Sequence, residues 1–246
     1  MKIHKRCFIC FRTKYNLNGF ACESCLSKLD HLKFYSCIRC GLENCLGCQK
    51  LIEFKKVFTL YMYSNGIPEL LLLAKESNNP FYINLFNNFF YLDCKNFLSN
   101  LTLKYKYNYI ILPVLKQERI LNSSWHPTNL FYDVFTEIFV EIKEYRSHTN
   151  KIVLLPSQFT KKLKKQSLVP KKNRDHNYKN FELKNIYFDL KLLKNFDSKI
   201  SNKILILDDV LTSGQTALMM QKYFSNFFPS AEWHFFSFFR SPQKMV

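Results

Sequence analysis

Four Cys-x-x-Cys pairs dominate the beginning of this 246-residue chain. Eight of its nine cysteines fall in the first 48 residues, and they are Cys7, Cys10, Cys22, Cys25, Cys37, Cys40, Cys45 and Cys48. One such pair offers two thiolates from one tight turn, and tetrahedral zinc takes four sulfur or nitrogen ligands. The pattern predicts two four-cysteine zinc sites. The alternative, a disulfide framework, belongs to secreted chains, and no apolar secretory segment is visible here.

Two pairings of these cysteines fit the spacing. Sequential pairing gives one site from 7, 10, 22 and 25 and another from 37, 40, 45 and 48. Cross-braced pairing gives one site from 7, 10, 37 and 40 and another from 22, 25, 45 and 48. Either pairing predicts a double zinc ribbon over residues 1–50 whose fold depends on its metal. The remaining cysteine, Cys94, is expected to be a buried apolar residue.

The chain is strongly basic, with 36 Lys and Arg against 19 Asp and Glu and a formal charge of +17. Such an excess favours polyanionic partners. Seven basic residues and no acidic one occupy positions 161–174, namely Lys161, Lys162, Lys164, Lys165, Lys171, Lys172 and Arg174. A run of this kind is either a solvated loop or a phosphate-binding patch. The apolar stretches are too short to cross a bilayer, so we expect a cytoplasmic protein without membrane insertion.

Beyond residue 50, predicted strands and helices alternate. Short apolar runs predict strands at 57–63, 109–114, 151–155, 203–208 and 232–240. Apolar residues at helical spacing predict helices at 67–75, 81–97, 128–145 and 215–227. This alternation predicts that residues 51–246 form an α/β domain built on a parallel sheet.

The segment from Leu205 to Ala217 contains the candidate ligand-binding residues. An apolar strand leads into Asp208 and Asp209, a polar loop follows, and a helix then begins. Carboxylates at the carboxyl edge of a parallel sheet can accept hydrogen bonds from ribose hydroxyls. Main-chain N–H groups at a helix N-terminus can hold a phosphate, and glycine allows close backbone approach. The predicted phosphate-binding residues are Leu211, Thr212, Ser213, Gly214, Gln215 and Thr216.

The stretch from Leu207 to Thr216 resembles the phosphoribosyl pyrophosphate loop of type I phosphoribosyltransferases. Four Cys-x-x-Cys pairs ahead of such a domain resemble the ComF family, the phosphoribosyltransferase-like proteins of DNA uptake. Shorter segments agree in order with that family. They are Tyr63 with Leu70–Lys75, Leu112–Val114 with Arg119, and Gln166, Leu168, Arg174, Asn177 and Phe181 in a basic hood segment at about residues 156–185.

The resemblance implies a phosphoribosyltransferase-type sheet with helices on both faces. It also implies that Asp208 and Asp209 position the ribose of phosphoribosyl pyrophosphate or a related ribose phosphate, with Mg²⁺ accompanying the ligand. The partners it implies are single-stranded DNA and proteins of the uptake machinery.

One segment departs from the family pattern. The family carries an R-G-F-N-Q motif where this chain has Ser124–Thr128, so the expected cation beside the pyrophosphate is missing. His126 either replaces that donor or packs beside Trp125, and we favour packing. Three functions stay open: a DNA-uptake factor with a retained phosphoribosyl site, an active phosphoribosyltransferase of nucleotide salvage, and a non-catalytic sensor of phosphoribosyl pyrophosphate.

Overall fold

The computed structural model describes part of the chain. The described residues are 5–7, 10, 12–14, 17–18, 21–30, 51–64, 66–77, 79–112, 115–116, 125–141, 153–155, 158–159, 186–187 and 202–241. Half of the cysteine pattern, Cys37, Cys40, Cys45 and Cys48, lies outside them. The basic run from Lys161 to Arg174 lies outside them as well, so both predictions about these residues stay predictions.

The described elements follow one another in a largely alternating order. Four two-residue strands and a helix come first: β1 (Lys5–Arg6), β2 (Thr13–Lys14), β3 (Leu17–Asn18), β4 (Ala21–Cys22) and α1 (Glu23–Asp30). Next come β5 (Lys56–Met62), α2 (Ile67–Glu76), α3 (Pro80–Tyr105), β6 (Tyr109–Ile111), β7 (Leu115–Lys116) and α4 (Pro127–Glu141). The remaining elements are β8 (Val153–Leu155), β9 (Gln158–Phe159), β10 (Ile186–Tyr187), β11 (Lys203–Leu211), α5 (Gln215–Ser225) and β12 (Glu232–Arg240).

The main sheet has five strands in the order β5-β12-β11-β6-β8, and every neighbouring pair is parallel. The chain moves outward from β6 to its neighbour β8, and later outward in the opposite direction from β11 to β12. The strand order therefore reverses between β6 and β11. In open α/β sheets, ligands bind at the carboxyl ends of the strands at such a reversal. A smaller sheet joins β10, β9 and β7.

Helices cover both faces of the main sheet. Leu205 and Leu207 of β11 pack into a core with α2, α3 and α4, whereas Ile204 and Ile206 pack into a second core with α5. This division follows from the alternation of side chains along a strand. The neighbouring strand β12 is buried on both sides, and its consecutive aromatic residues are fully enclosed. The predicted α/β class with helices on both faces is confirmed.

Local sequence explains where the helices on the first face begin and end. Gly66 takes a left-handed conformation (φ 85°) directly before α2, and Pro68 lies in the first turn of that helix. The Asn79 side chain accepts a hydrogen bond from the Phe81 N–H at 2.9 Å and caps α3. Lys106, also left-handed (φ 52°), ends α3. Within the described part of the chain, no helix is both long and apolar enough to cross a bilayer.

The predicted elements are present, and two of them extend well beyond their predicted ends. The strand predicted at 109–114 ends at Ile111, and the helix predicted at 215–227 ends at Ser225. The third helix is longer than predicted, because its apolar and polar residues continue to alternate at helical spacing as far as Tyr105. The strand predicted to end at Asp208 continues to Leu211, because β12 stays paired with it through Val210–Phe239 and Leu211–Arg240. Both acidic residues are therefore part of a strand.

A buried polar cluster lies at the beginning of β12. The His234 ring is fully enclosed; its Nδ1 is 2.7 Å from the Tyr107 hydroxyl and its Nε2 is 3.0 Å from Glu232 Oε1. The Tyr105 ring meets His234 edge-on at 4.7 Å between centroids. Burial lowers the pKa of His234 to about 4, and Glu232 only partly opposes this shift. The imidazole is therefore neutral in the folded protein near neutral pH.

This cluster predicts a loss of stability in mild acid. The folded-state pKa of His234 lies below the usual value of about 6.5, so the unfolded chain binds more protons between these two values. The stabilisation is complete above about pH 6.5 and falls as the pH drops toward 4. Through this group, the free energy of unfolding should fall by about 2 kcal/mol between pH 7 and pH 5.

Urea denaturation at the two pH values measures this loss. His234→Gln should lose less stability on acidification than the wild type. Tyr107→Phe, which keeps the imidazole, is the control and should retain most of the pH dependence. The assignment is contradicted if the wild type and His234→Gln lose the same free energy.

Candidate functional site

Four cysteine sulfurs converge near the N-terminus. The Sγ atoms of Cys7, Cys10, Cys22 and Cys25 all lie within 4.8 Å of one another. Zinc–sulfur bonds of about 2.3 Å in a tetrahedron place ligand sulfurs roughly 3.8 Å apart. The Cys10 and Cys22 sulfurs are 3.9 Å apart, and the Cys22 N–H donates to the Cys7 sulfur at 3.3 Å. The residues therefore fit a tetrahedral zinc ion.

Local structure explains this convergence. Cys7 directly follows β1, and the antiparallel pairing of β1 with β2 turns the chain at the first knuckle. Cys22 ends β4, and Cys25 lies in the first turn of α1. The second knuckle thus lies at a strand–helix junction. The four residues together form the first site of the sequential pairing, and the second predicted site lies outside the described residues.

The cysteine cluster needs a positive charge before its thiols can ionise together. Burial raises the pKa of the Cys25 thiol above its ordinary value, and the neighbouring sulfurs of Cys22, Cys10 and Cys7 raise it further. Four thiolates cannot form this close together unless a positive charge compensates them. Zinc supplies that charge and takes thiolate ligands. The fifth described cysteine, Cys94, is buried in α3, as predicted for an apolar role.

The two acidic residues lie beyond the end of a neighbouring strand. On one side, β6 pairs with β11 only as far as Ile111–Ile206. On the other side, β12 pairs with β11 as far as Leu211. Asp208 and Asp209 therefore lie past the carboxyl end of β6, at the reversal of strand order, while β12 still holds their backbone. This position matches the expectation from the sequence.

Both carboxylate oxygens of Asp209 accept a hydrogen bond. Its Oδ1 accepts a hydrogen bond from the Val210 N–H at 3.0 Å, and its Oδ2 accepts one from the ammonium group of Lys75 in the last turn of α2. The side chains of this ion pair are only 19% and 13% exposed. Asp208 Oδ1 accepts a hydrogen bond from the Asp209 N–H at 2.9 Å.

The neighbours of these acids move their pKa values in opposite directions. Burial raises the pKa of Asp209, but the positive charges of Lys75 and His126 outweigh it and hold that pKa well below the usual range. Burial and the adjacent Asp209 raise the pKa of Asp208 well above its usual value. Asp209 is therefore the more readily ionised acid of the pair, and Asp208 is the one that more readily holds a proton.

A buried arginine is hydrogen-bonded to the start of the loop after β11. Arg240 Nη1, at the end of β12, donates to the Leu211 carbonyl at 2.9 Å and to the Thr212 carbonyl at 2.5 Å. The Ser241 N–H donates to the same Leu211 carbonyl at 3.0 Å. These bonds fix the start of the loop and place a positive charge beneath it.

Gly214 ends the loop and begins α5. Its φ of 80° is in the left-handed region that favours glycine. A Cβ atom at this position would lie 2.7 Å from Cδ2 of Leu51, so the loop rests directly on this side chain. The glycine is therefore required by its backbone conformation and by close packing with Leu51.

The other predicted phosphate-binding residues differ in how they are exposed. Thr212 and Ser213 are exposed, whereas Gln215 and Thr216 are half-buried at the start of α5. The Leu211 side chain is buried in the core under α5, so only its main chain can face a ligand. No local pattern in the sequence marks Arg240 as a support of the loop. Lys75 is expected from sequence only as part of a family-like segment, without a partner.

The structure gives Trp125 and its neighbour His126 different surroundings. The side chain that packs is Trp125, which is buried with its ring 5.2 Å from the Phe86 ring. His126 is half-buried at the start of α4, and its charge lowers the pKa of Asp209. It therefore belongs to the electrostatic environment of the acid pair. The helix begins directly after His126, with Pro127 at its first position.

Comparison with known protein families and with curated proteins yields no match to this chain. The likeness to the ComF family therefore depends on the residues quoted above.

The cysteine cluster predicts a specific loss of zinc. Cys22→Ser should lower the zinc content by about one equivalent per chain, because three thiolates bind zinc far more weakly than four. Metal analysis of the purified protein by mass spectrometry measures this loss. Cys94→Ala removes a buried thiol outside the cluster and should keep its zinc. Retention of all zinc by Cys22→Ser would show that these sulfurs do not hold the metal.

The close contact between Gly214 and Leu51 predicts that even a methyl side chain at position 214 destabilises the fold. Gly214→Ala should lower the free energy of unfolding by about 2 kcal/mol, because it combines a disfavoured φ with a clash against Leu51. Denaturant unfolding of both single variants and of Gly214→Ala/Leu51→Ala gives the coupling. The double variant should be more stable than the sum of the single effects predicts. Simple additivity would exclude the clash with Leu51.

Proposed function

We propose that this protein binds the ribose 5-phosphate part of phosphoribosyl pyrophosphate, or a related ribose phosphate, at the carboxyl edge between β6 and β11. The proposal depends on one observation. The acid pair lies on β11 and the polar loop follows that strand directly, beside the reversal of strand order. A type I phosphoribosyltransferase-like fold would present its ligand site at this edge. The order of the five parallel strands supports that fold assignment.

Each part of the site has a task in this proposal. The exposed hydroxyls of Thr212 and Ser213 and the first amide groups of α5 bind the 5′-phosphate, which the positive end of the helix favours. The buried Arg240 adds positive charge beneath the same loop. Asp208 orients the ribose by hydrogen bonding to its hydroxyl groups.

The wider role that we propose is that of a ComF-like factor in DNA uptake, which binds single-stranded DNA in the cytoplasm. The charge of +17 supports a polyanionic partner. The sulfur cluster supports a zinc-dependent N-terminal module, and the second zinc site belongs to the same proposal. Proteins of the uptake machinery are the partners expected for such a factor. The DNA-binding surface proposed from sequence is the basic run from Lys161 to Arg174.

Calorimetric titration of the zinc-loaded protein with phosphoribosyl pyrophosphate and Mg²⁺ tests the ligand proposal. Asp208→Asn/Asp209→Asn should abolish binding and leave the zinc content and DNA binding unchanged. The matched control is Glu137→Gln/Glu141→Gln, which removes two acids bound to a half-buried lysine, Lys95, away from the site. This control should bind like the wild type. Wild-type affinity in the double aspartate variant would overturn the site.

The same samples separate binding from catalysis. Release of pyrophosphate on addition of nucleobases would identify an active phosphoribosyltransferase. Binding without release would identify a sensor or a DNA-handling protein.

Fluorescence titration with single-stranded DNA at several salt concentrations tests the wider role. The logarithm of the affinity should fall linearly with the logarithm of the salt concentration, because phosphate contacts release counterions. Replacing the four lysines between 161 and 165 by glutamine should reduce that slope. Affinity that does not depend on salt would remove the DNA proposal.

A further inference from the structure

The Lys75–Asp209 ion pair joins two distant parts of the chain at the proposed ligand site. Lys75 lies in the last turn of α2, where the helix dipole favours a positive charge. The helix itself is anchored, because Ile67, Leu70, Leu71 and Ala74 are buried against the core. The lysine is therefore presented to the acid pair by a rigid element.

Divalent cations in proteins take carboxylate oxygens as ligands, and a pair of adjacent aspartates at a phosphate site is a natural place for one. The arrangement of Asp209 does not fit this role. The Lys75 ammonium group is bonded to Oδ2, and the Val210 N–H is bonded to Oδ1. A second cation at Asp209 would have to displace the lysine or lie beside it and be repelled.

We propose that Lys75 takes the place of a divalent cation at the acid pair. Its ammonium group neutralises Asp209 and fixes its orientation, so that Asp208 is the acid that faces a ligand. Lys75 is thus a positioning residue, and the protein alone binds no divalent cation at these two aspartates. Metal that arrives with a pyrophosphate ligand is held by that ligand and is not excluded by this arrangement.

A second consequence rests on the proposed function. Ribose 5-phosphate has no pyrophosphate to carry a metal ion. If Lys75 supplies the positive charge beside the ribose, this ligand should bind with the same affinity with and without added Mg²⁺.

Electron paramagnetic resonance of Mn²⁺ with the zinc-loaded protein tests the first consequence without any organic ligand. We expect no Mn²⁺ to bind the wild type at the acid pair. Asp208→Asn should therefore bind Mn²⁺ no more weakly than the wild type does. Lys75→Gln should gain a binding site at least about tenfold tighter than any such binding in the wild type, because it frees the Asp209 carboxylate. Lys75→Gln/Asp209→Asn should lose that site again.

Two further variants serve as controls. Lys75→Arg keeps the positive charge and should bind Mn²⁺ as weakly as the wild type. Lys95→Gln removes another lysine that is paired with carboxylates, Glu137 and Glu141, away from the site, and it should also behave like the wild type. A gain of Mn²⁺ binding in Lys95→Gln equal to that in Lys75→Gln would overturn the assignment.

The wild-type protein alone can decide the question if Lys75→Gln does not fold. Mn²⁺ binding by the wild type that Asp208→Asn or Asp209→Asn abolishes would overturn the proposal. Ribose 5-phosphate that binds the wild type only when Mg²⁺ is added would overturn it as well. If ribose 5-phosphate binds under neither condition, the proposed function fails, and the Mn²⁺ titration still decides the role of Lys75.

Discussion

The unequal pairing of β11 with its two neighbours is the constraint on which the site depends. Hydrogen bonding to β6 ends at Ile206, whereas hydrogen bonding to β12 continues to Leu211. Among the described strands, only β12 pairs with the segment between these two residues. Asp208 and Asp209 therefore have the rigidity of a strand, which a loop would not provide.

The other elements of the site bring positive charge to this segment of β11. Lys75 arrives from α2, His126 from the start of α4, and Arg240 from the end of β12. They meet because parallel strands place all their carboxyl ends, and the connections that follow them, at one edge of the sheet. Two adjacent carboxyl groups in a partly buried position would repel each other without these charges. The same charges also make this edge attractive to an anionic ligand.

The N-terminal part of the chain contributes to both structural cores. The buried Cys7, Cys22 and Cys25 belong to the same contiguous cluster of buried side chains as α2, α3 and α4. Leu51, at the boundary predicted between the two domains, belongs to the opposite core and supports Gly214. The loop after β11 therefore rests on a residue that lies three positions after Cys48, the last cysteine of the four pairs. A change in this short segment would act directly on the loop.

Short-range patterns in the sequence were sufficient for several features of this protein. Apolar runs and helical spacing located the strands and helices, because side-chain periodicity follows directly from backbone geometry. The Cys-x-x-Cys spacing predicted metal-binding cysteines, and the order of acids, polar loop and glycine predicted the candidate site on β11. In each case the residues that matter are neighbours in the chain.

Only the tertiary structure decided which distant residues meet. It selected sequential pairing for Cys7, Cys10, Cys22 and Cys25, where the spacing had left two pairings open. It also brought Lys75 to Asp209, 134 positions away in the chain. The reason is the same for both. The packing of hairpins, helices and strands determines which cysteines meet and which residue reaches Asp209. A local sequence pattern contains no information about that packing.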